Sequence, residues 1–281
     1  MRLATFNLLS GRVMNEESGD PENLRKAVRL LDVDVLAMQE VDRHQARSGG
    51  VDQTAIVAEE MGAECWRFVP ALVGTPGQKW RAAGPQDEEV DGRGSHEPAA
   101  YGIAIVSRLP VLEWRVVRLR PVPTIAPVLL RDDNGKRRWV WVRDEPRAAV
   151  VAVVETADGP VTIANTHLSF IPGWNAAQLW RLVSALGGDP RPQLLVGDLN
   201  MPGKLPGGLC REWKQLAHAK TWPAHVPRAQ LDHVLGRGPL PAVVSEDAVE
   251  LPLSDHRALC VELDGLRPVR GDQSVSAVND G

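Results

Sequence analysis

Hydrophobic and polar positions along the chain follow two different periods. Apolar residues recur at helical spacing in residues 24–31, after Asp20 and Pro21, which provide an N-cap and a proline at the first helical position. The same spacing predicts helices over residues 53–61 and 179–186. Shorter apolar runs predict strands over residues 33–38, 101–107, 148–154, 161–166, 194–197, 231–235 and 258–263. The alternation of these elements predicts an α/β fold built on a sheet.

Residues 71–98 and 115–147 interrupt this alternation. The first stretch is rich in Gly, Pro and charged residues, which predicts a loop or an insertion. The second carries nine Lys or Arg against four Asp or Glu, so its local net charge is +5. Within it, Asp133-Asn134-Gly135 predicts a hairpin turn.

The strands of this predicted hairpin carry Trp139 and Trp141 beside Arg137 and Arg138. Indole rings and guanidinium groups together suit contact with phosphates and flat groups, so Arg137 and Arg138 are predicted to bind substrate. A solvated hairpin whose aromatic rings pack on a sheet explains the same pattern equally well.

Composition narrows the classes of protein to consider. A length of 281 residues with 43% hydrophobic content predicts one catalytic domain over residues 1–265, followed by a flexible tail over residues 266–281. Acidic residues (36) outnumber basic ones (32), which argues against a strongly cationic, sequence-independent nucleic-acid binder. Any contact with a polyanion is therefore expected to be local.

The cysteines and the start of the chain favour a cytoplasmic protein. Cys65, Cys210 and Cys260 lie far apart without CxxC spacing, which argues against a disulfide framework or a thiolate zinc site. The sequence begins without a basic and then apolar leader, and no stretch approaches the roughly 18 apolar residues of a membrane span. We expect a monomer without a membrane span.

Candidate catalytic residues lie in six short segments: five place a polar or ionisable residue at the end of an apolar strand pattern, and the sixth, Leu231-Asp232-His233, contributes one more carboxylate near such a strand. The segments are Phe6-Asn7, Gln39-Glu40, Asn165-Thr166-His167, Gly197-Asp198-Leu199-Asn200, Leu231-Asp232-His233 and Ser254-Asp255-His256. Hydrolysis of a phosphate ester needs a hard cation, a base for water and hydrogen-bond donors for the developing charge. The carboxylates and histidines of these segments can supply each of these needs.

Together and in this order, the segments resemble the endonuclease/exonuclease/phosphatase superfamily, which includes deoxyribonuclease I, abasic-site endonucleases, deadenylases, inositol-polyphosphate 5-phosphatases and neutral sphingomyelinases. The resemblance covers about residues 1–263. It implies a four-layer α/β sandwich, in which two mixed β-sheets pack face to face with helices outside. It also implies hydrolysis of phosphodiester bonds by metal-activated water, with the site where strand-end loops converge.

The same resemblance implies roles for individual residues around the metal and the water. Glu40 matches the principal metal ligand, with Asn7 and Asp255 in or near the shell of a Mg²⁺ (or Mn²⁺) ion. Asp198 matches the residue that orients or deprotonates the attacking water. Asn200 matches the side chain that holds the phosphate or water beside it.

Further roles concern the phosphate group. His256 resembles the histidine that is hydrogen-bonded to phosphate, and Asp232 resembles the carboxylate that fixes its ring and tautomer. His167 resembles the second phosphate-binding histidine of the deoxyribonuclease and sphingomyelinase branches. Arg147 resembles a phosphate-contacting arginine. His233 is expected to be structural, because it points to the opposite face of its strand from Asp232.

Three functions compete. The motif set and the basic hairpin favour a nuclease acting on DNA or RNA. A sphingomyelinase-like enzyme, or a phosphodiesterase or phosphatase for small phosphate esters, is the alternative. A specific 5-phosphatase is disfavoured, because Val196 stands where that branch carries a tryptophan. A catalytically silent scaffold is disfavoured because the ligands and the base are all present.

Overall fold

The computed structural model describes residues 1–13, 18–88, 98–123, 125–131 and 137–266. The strands in chain order are β1 (Arg2–Asn7), β2 (Val35–Arg43), β3 (Cys65–Gly74), β4 (Trp80–Ala82), β5 (Ala100–Ser107), β6 (Val111–Leu119), β7 (Ile125–Arg131), β8 (Arg137–Arg143), β9 (Arg147–Val154), β10 (Val161–His167), β11 (Gln193–Asp198), β12 (Lys214–Gln215), β13 (Asp232–Arg237), β14 (Val243–Val249) and β15 (Ala258–Leu263). The helices are α1 (Pro21–Leu31), α2 (Gln53–Met61), α3 (Trp174–Ala185) and α4 (Leu205–Leu209).

Two mixed sheets form the centre of the fold. One has seven strands in the order β14-β15-β1-β2-β5-β3-β4, and the other has six in the order β12-β13-β11-β10-β9-β6. Apolar side chains from both sheets form a buried cluster between them, including Leu3, Ile105, Val150 and Ile163. Helices α1 and α2 pack on the outer face of the first sheet, and α3 packs on that of the second. This is the predicted four-layer α/β sandwich.

The helix signals of the sequence correspond to real caps. Asp20 accepts a hydrogen bond from the Glu22 amide at 2.9 Å, and Pro21 occupies the first turn of α1. Helix α2 ends at Gly62, whose φ of 61° lies in the left-handed region that glycine adopts without strain. The predictions of these two helices are therefore confirmed, as is that of α3.

Strand β2 differs from its prediction, because it does not end at Glu40. It continues to Arg43, and its pairing with β5 shifts register between Met38 and Val41. This irregularity is a β-bulge, and Glu40 lies inside it with a φ of 54°. The predicted end of the strand was wrong because the polar pair Gln39-Glu40, which follows the apolar run, lies in a bulge, after which residues 41–43 resume the pairing with β5.

The predicted loop over residues 71–98 is also partly wrong. Strand β3 extends to Gly74, and Trp80–Ala82 form the edge strand β4, which pairs with β3. The Gly and Pro residues of this stretch led to the prediction of a loop, but short edge strands tolerate residues that interior strands exclude. Residues 89–97 of the predicted loop lie outside the described residues.

Asn165 on β10 joins the two sheets through a fully buried side chain. Its amide nitrogen donates to the carbonyl oxygens of Met38 and Ala104, both at 2.8 Å, in the opposite sheet. Its amide oxygen accepts from Gln39 Nε2 at 2.7 Å. Because every polar group of this amide is paired, it fixes the position of one sheet relative to the other.

Strands β7 and β8 form a separate two-stranded sheet, paired from Ile125 and Arg143 at one end to Arg131 and Arg137 at the other. The hairpin expected in this part of the chain is therefore present. Its predicted turn over residues 133–135 lies outside the described residues, as do residues 267–281 of the predicted tail. Among the described helices, none is both long and apolar enough to cross a membrane.

Candidate functional site

A cavity of about 560 Å³ opens at the end of the sandwich where strands from both sheets finish. Eight residues that the sequence predicted for the site line it: Asn7, Glu40, Arg147, His167, Asp198, Asn200, Asp255 and His256. Asp232 lies behind His256 and is fully buried. Arg137 and Arg138 belong to β8, but their side chains lie outside the described part of the structure.

The topology explains why residues so distant in sequence meet here. Strands β1 and β2 are parallel, with Asn7 opposite Gln39, and strands β10 and β11 are parallel, with His167 opposite Asp198. Parallel strands present their carboxyl ends at the same edge, where ligands bind in open α/β sheets. Each sheet thus delivers one half of the site.

Gly197 shows how closely these strands approach. Its φ is 135°, and a Cβ atom at this position would overlap the carbonyl oxygen of Thr166 on the neighbouring strand. Only glycine fits between the strands immediately before Asp198. The glycine of the Gly197-Asp198-Leu199-Asn200 segment is therefore a packing requirement of the site.

Glu40 and Asn7 lie side by side on the floor of the cavity. Asn7 Nδ2 donates to Glu40 Oε1 at 3.1 Å and to Asp198 Oδ2 at 3.2 Å. Burial raises the pKa of Glu40, an effect that the hydrogen bond from Asn7 opposes and the charge of Asp255 increases. Asp255 accepts a hydrogen bond from Trp222 Nε1 at 3.1 Å.

Asp198 occupies the centre of the site. Its Oδ2 atom lies 3.6 Å from His167 Nε2 and 3.8 Å from His256 Nε2, and its Oδ1 atom accepts from the Asn200 amide at 2.9 Å. Burial raises the pKa of Asp198 to about 7, despite the opposing charge of His256. A carboxylate with this pKa can exchange a proton near neutral pH.

The two histidines beside Asp198 have opposite charge states. His256 Nδ1 lies 2.8 Å from Asp232 Oδ2. Burial alone would lower the pKa of His256, but the charge and hydrogen bond of Asp232, together with the charge of Asp198, raise it to about 10. Burial lowers the pKa of His167 well below its usual value, so this ring is neutral, and its Nε2 atom lies 3.1 Å from Asn200 Nδ2.

Arg147 supplies a buried cation to the wall of the cavity. Only 6% of its surface is exposed, and within the described part of the chain its Nε atom has no hydrogen-bond partner. Its nearest carboxylate oxygen, on Glu145, lies 3.9 Å from Nη2, which is too far for a strong ion pair. A buried guanidinium with an unsatisfied donor is suited to bind an anion that enters the cavity.

Several lining residues were missed in the sequence, notably Tyr101, Phe170 and Trp222. No motif marks them, and Tyr101 is the chain's single tyrosine at the start of a predicted strand. His233 was interpreted correctly as structural, because it is fully buried and its Nε2 atom lies 2.8 Å from the Met201 carbonyl oxygen.

Two sets of side chains could hold a metal ion. The donor atoms of Asp198, Asp232 and His256 lie within 4.8 Å of one another. In that set, however, the contact between His256 and Asp232 is a hydrogen bond, whose proton a metal ion would have to displace. Glu40 and Asp255 provide the carboxylate oxygens that hard cations prefer, and both line the cavity beside Asn7. The Asn7 oxygen accepts from the Leu9 amide at 3.1 Å, so the Asn7 side chain would have to turn to add an oxygen ligand.

Comparison with protein families decides the assignment. The sequence model of the Endonuclease/Exonuclease/phosphatase family matches residues 4–256, which include the residues named above from Asn7 to His256. The chain belongs to this family. Enzymes of the endonuclease/exonuclease/phosphatase family cleave phosphate esters, so the chain is assigned to the phosphoesterases among the hydrolases. A search of curated proteins by sequence found no match.

Solved structures share the fold of this family member. An endonuclease/exonuclease/phosphatase from Beutenbergia cavernae DSM 12333 is 21% identical with a TM-score of 0.64, over 95% of this chain and 72% of that chain. A mannosyl-6-phosphatase from Bacteroides thetaiotaomicron VPI-5482 is 15% identical with a TM-score of 0.59, over 94% and 99%. The human Nocturnin catalytic domain with bound sulfate is 19% identical with a TM-score of 0.56, over 93% and 92%. At these identities the likeness establishes the fold.

Proposed function

We propose that the chain is a divalent-metal-dependent phosphodiesterase that hydrolyses DNA or RNA, with Asp198 as the base for the attacking water. One observation carries the proposal: a buried carboxylate with a pKa of about 7 lies between a neutral and a charged histidine in an open cavity. A carboxylate whose pKa lies near neutral pH can accept a proton from the attacking water.

Glu40, Asn7 and Asp255 would hold the cation, with Mg²⁺ or Mn²⁺ as the ion that their oxygen atoms suit. The burial of Glu40 supports this assignment, because a desolvated carboxylate beside a second one is destabilised until a cation joins them. When bound, the cation neutralises charge on the phosphoryl oxygens. Asn7 contacts both Glu40 and Asp198, so it places the ligands next to the base.

Asp198 and Asn200 would handle the water. The Asn200 main-chain amide fixes one oxygen of Asp198, which leaves the other directed toward the histidines and the cavity. Asn200 Nδ2 donates to the carbonyl oxygen of Leu168 at 3.0 Å and lies beside His167, so its side chain is held in one orientation. A water next to Asp198 Oδ2 is therefore oriented by groups that do not need to move.

His256 and Arg147 would bind the phosphate. Asp232 keeps His256 charged and aims its Nε2–H toward the cavity, where it donates to a phosphate oxygen. Arg147 contributes a second permanent positive charge from β9. His167 is neutral and already contacts Asn200, so we assign it to positioning Asn200 and to a weaker contact with phosphate.

One observation favours a second candidate function. A cavity of about 560 Å³ is in the range of sites that enclose a whole small molecule. A small phosphate ester could therefore be the substrate, and a mannosyl-6-phosphatase is among the proteins that share the fold. Sphingomyelin belongs to the same alternative, since its phosphodiester head group is also small.

A substrate panel separates these candidates. Purified protein is incubated with Mg²⁺ or Mn²⁺ and with single-stranded DNA, duplex DNA, RNA, sphingomyelin vesicles, sugar phosphates and bis(p-nitrophenyl) phosphate. Asp198→Asn, prepared in the same way, controls for contaminating nucleases. The proposal expects cleavage of at least one nucleic acid that EDTA abolishes. Efficient hydrolysis of sugar phosphates or sphingomyelin alone would replace it with the second candidate.

A further inference from the structure

The outer strand β8 presents a row of side chains that the chemistry of the cavity does not use. Trp139, Trp141 and Arg143 occupy every second position of β8, so their side chains lie on one face of the hairpin sheet. Trp139 is 67% exposed and Trp141 is 70% exposed. Two neighbouring indoles thus leave most of their large apolar surface exposed, which is typical of a surface that binds a partner.

Arg143 connects this row to the cavity. Its guanidinium carbon lies 5.1 Å from the centre of the Trp80 ring, and its side chain lines the cavity together with Arg147. The contact also attaches the base of β8 to β4, the edge strand of the seven-stranded sheet. The row therefore begins at the mouth of the site and leads away from it.

The base of the hairpin is also fixed on its other side. Asp144, the residue after β8, is buried and accepts from the Val122 amide at 3.0 Å and from Ser169 Oγ at 3.0 Å. Ser169 follows β10, which carries His167. The cavity end of the row, at Arg143, therefore has a defined position relative to the proposed catalytic residues.

We propose that the Trp139-Trp141-Arg143 row is a stacking platform for single-stranded nucleic acid, along which the strand leaves or enters the cavity. This inference rests on the proposed nuclease function and specifies its substrate. It assigns to Trp141 and Trp139 the bases that follow the cleaved phosphodiester, and to Arg143 the phosphate between the cavity and Trp141.

Spacing and charge both select a single strand. Alternate residues of a strand lie roughly 6.6 Å apart, whereas stacked bases of a duplex are about 3.4 Å apart along each strand. One base per indole thus requires bases that are unstacked, and the faces of paired bases inside a duplex are covered. Arg143, at the end of the row that lines the cavity, supplies the positive charge that a phosphate backbone requires at this surface.

Binding is tested in the Asp198→Asn background, so that the strand is not cleaved. Fluorescence anisotropy measures the Kd of a labelled oligothymidylate of about 12 nucleotides, which is within the usual site sizes of single-strand binders. The double change Trp139→Ala and Trp141→Ala is expected to raise Kd at least about tenfold, since each stacked base contributes substantially to affinity. Trp139→Phe with Trp141→Phe should retain most of the affinity, because a ring remains.

Trp180→Ala is the matched control, because Trp180 is 53% exposed but lies on α3 outside the cavity. It should leave Kd unchanged. A Kd for the double alanine variant within about twofold of its parent would overturn the platform. So would an equal effect on duplex DNA of the same length, since a duplex cannot stack its bases on the indoles.

Cleavage assays with Asp198 intact distinguish this inference from the proposed function. If the double alanine variant hydrolyses bis(p-nitrophenyl) phosphate at the parent rate, its site is intact; a parallel loss of that activity would make the row structural and overturn the platform. Indole-dependent binding without cleavage of any nucleic acid would leave the platform and remove the nuclease. Cleavage of a nucleic acid at the same rate with and without the two indoles would retain the proposed nuclease and overturn the platform. Indole-dependent binding to phosphatidylserine vesicles with unchanged oligonucleotide Kd would assign the row to a membrane and overturn the platform.

Discussion

His256 Nδ1 is hydrogen-bonded to Asp232 Oδ2 at 2.8 Å, and this contact turns Nε2 of the same ring toward Asp198 and the cavity. Asp232 is fully buried at the start of β13, directly opposite Asp198 in the neighbouring strand. The contact therefore sets both the orientation and the positive charge of the imidazole. The Oδ1 atom of Asp232 has no hydrogen-bond partner among the described residues, so this carboxylate acts mainly through His256.

Asp232→Asn tests this pairing. The amide removes the charge that keeps His256 protonated, so we expect kcat on bis(p-nitrophenyl) phosphate to fall roughly 10- to 100-fold, as is usual for groups that orient a functional side chain. His256→Ala should lose more, on the order of 10²- to 10⁴-fold, because the donor itself is gone. Wild-type activity in Asp232→Asn would contradict the pairing.

Asp198→Asn should abolish turnover while leaving substrate binding largely intact. Removal of a positioned general base costs on the order of 10² to 10⁴ in rate. Steady-state kinetics and anisotropy of a bound oligonucleotide measure the two effects separately. In a variant that keeps more than about a tenth of the wild-type rate, the activation free energy has risen by less than about 1.4 kcal/mol. That is too little for the loss of a general base.

Glu40→Gln should weaken cation binding without unfolding the protein. The amide has the same shape as the carboxylate but lacks the charge that a hard cation requires. Isothermal titration calorimetry with MnCl₂ measures the affinity directly, and circular dichroism checks the fold. Glu113→Gln is the matched control, since Glu113 is an exposed carboxylate on β6, away from the cavity. Equal manganese affinity in both variants would refute the assignment of Glu40.

Asn165→Leu should destabilise the fold more than a change at an exposed position such as Trp180. It removes three buried hydrogen bonds, so that Gln39 Nε2 and the carbonyl oxygens of Met38 and Ala104 each lose a partner. Each unsatisfied buried group costs about 1–3 kcal/mol, so we expect a loss of roughly 2–5 kcal/mol in the free energy of unfolding. Urea denaturation measures it, with Trp180→Ala as the comparison. A loss below about 1 kcal/mol would show that the sheets are held together mainly by their apolar cluster.

The residues that line the cavity could be predicted because several of them lie directly beside apolar strand patterns in the sequence. Asp198 and Asp255 both come directly after apolar or tightly packed segments, and the order of the motifs was sufficient to suggest the fold. The helices could be predicted for a similar reason, since Asp20 and Gly62 act through residues a few positions away. Local physical chemistry explains each of these features.

The remaining features depend on contacts between distant parts of the chain. Asn165 meets Gln39 across 126 positions, and Trp222 meets Asp255 through a loop that no pattern marks. The bulge of β2 lies at the polar pair Gln39-Glu40, which in the sequence resembles the end of a strand, because a bulge is defined by the register with β5. The neutral state of His167 follows from its burial, and the positive charge of His256 follows from the neighbouring Asp232. Both effects become apparent only when the sheets are assembled.

Three residues of the site hold their backbones in the left-handed region: Glu40 with a φ of 54°, Asn200 with 51° and Ser254 with 74°. The left-handed conformation is unfavourable for residues other than glycine, so contacts in the surrounding fold must compensate for its free-energy cost. Selection for a stable fold alone would therefore favour glycine at these positions and remove the Glu40 carboxylate and the Asn200 amide, to which the proposed chemistry assigns roles. Glycine at position 40 or 200 should accordingly make the protein more heat-resistant, so stability and the proposed activity make opposite demands on these two residues.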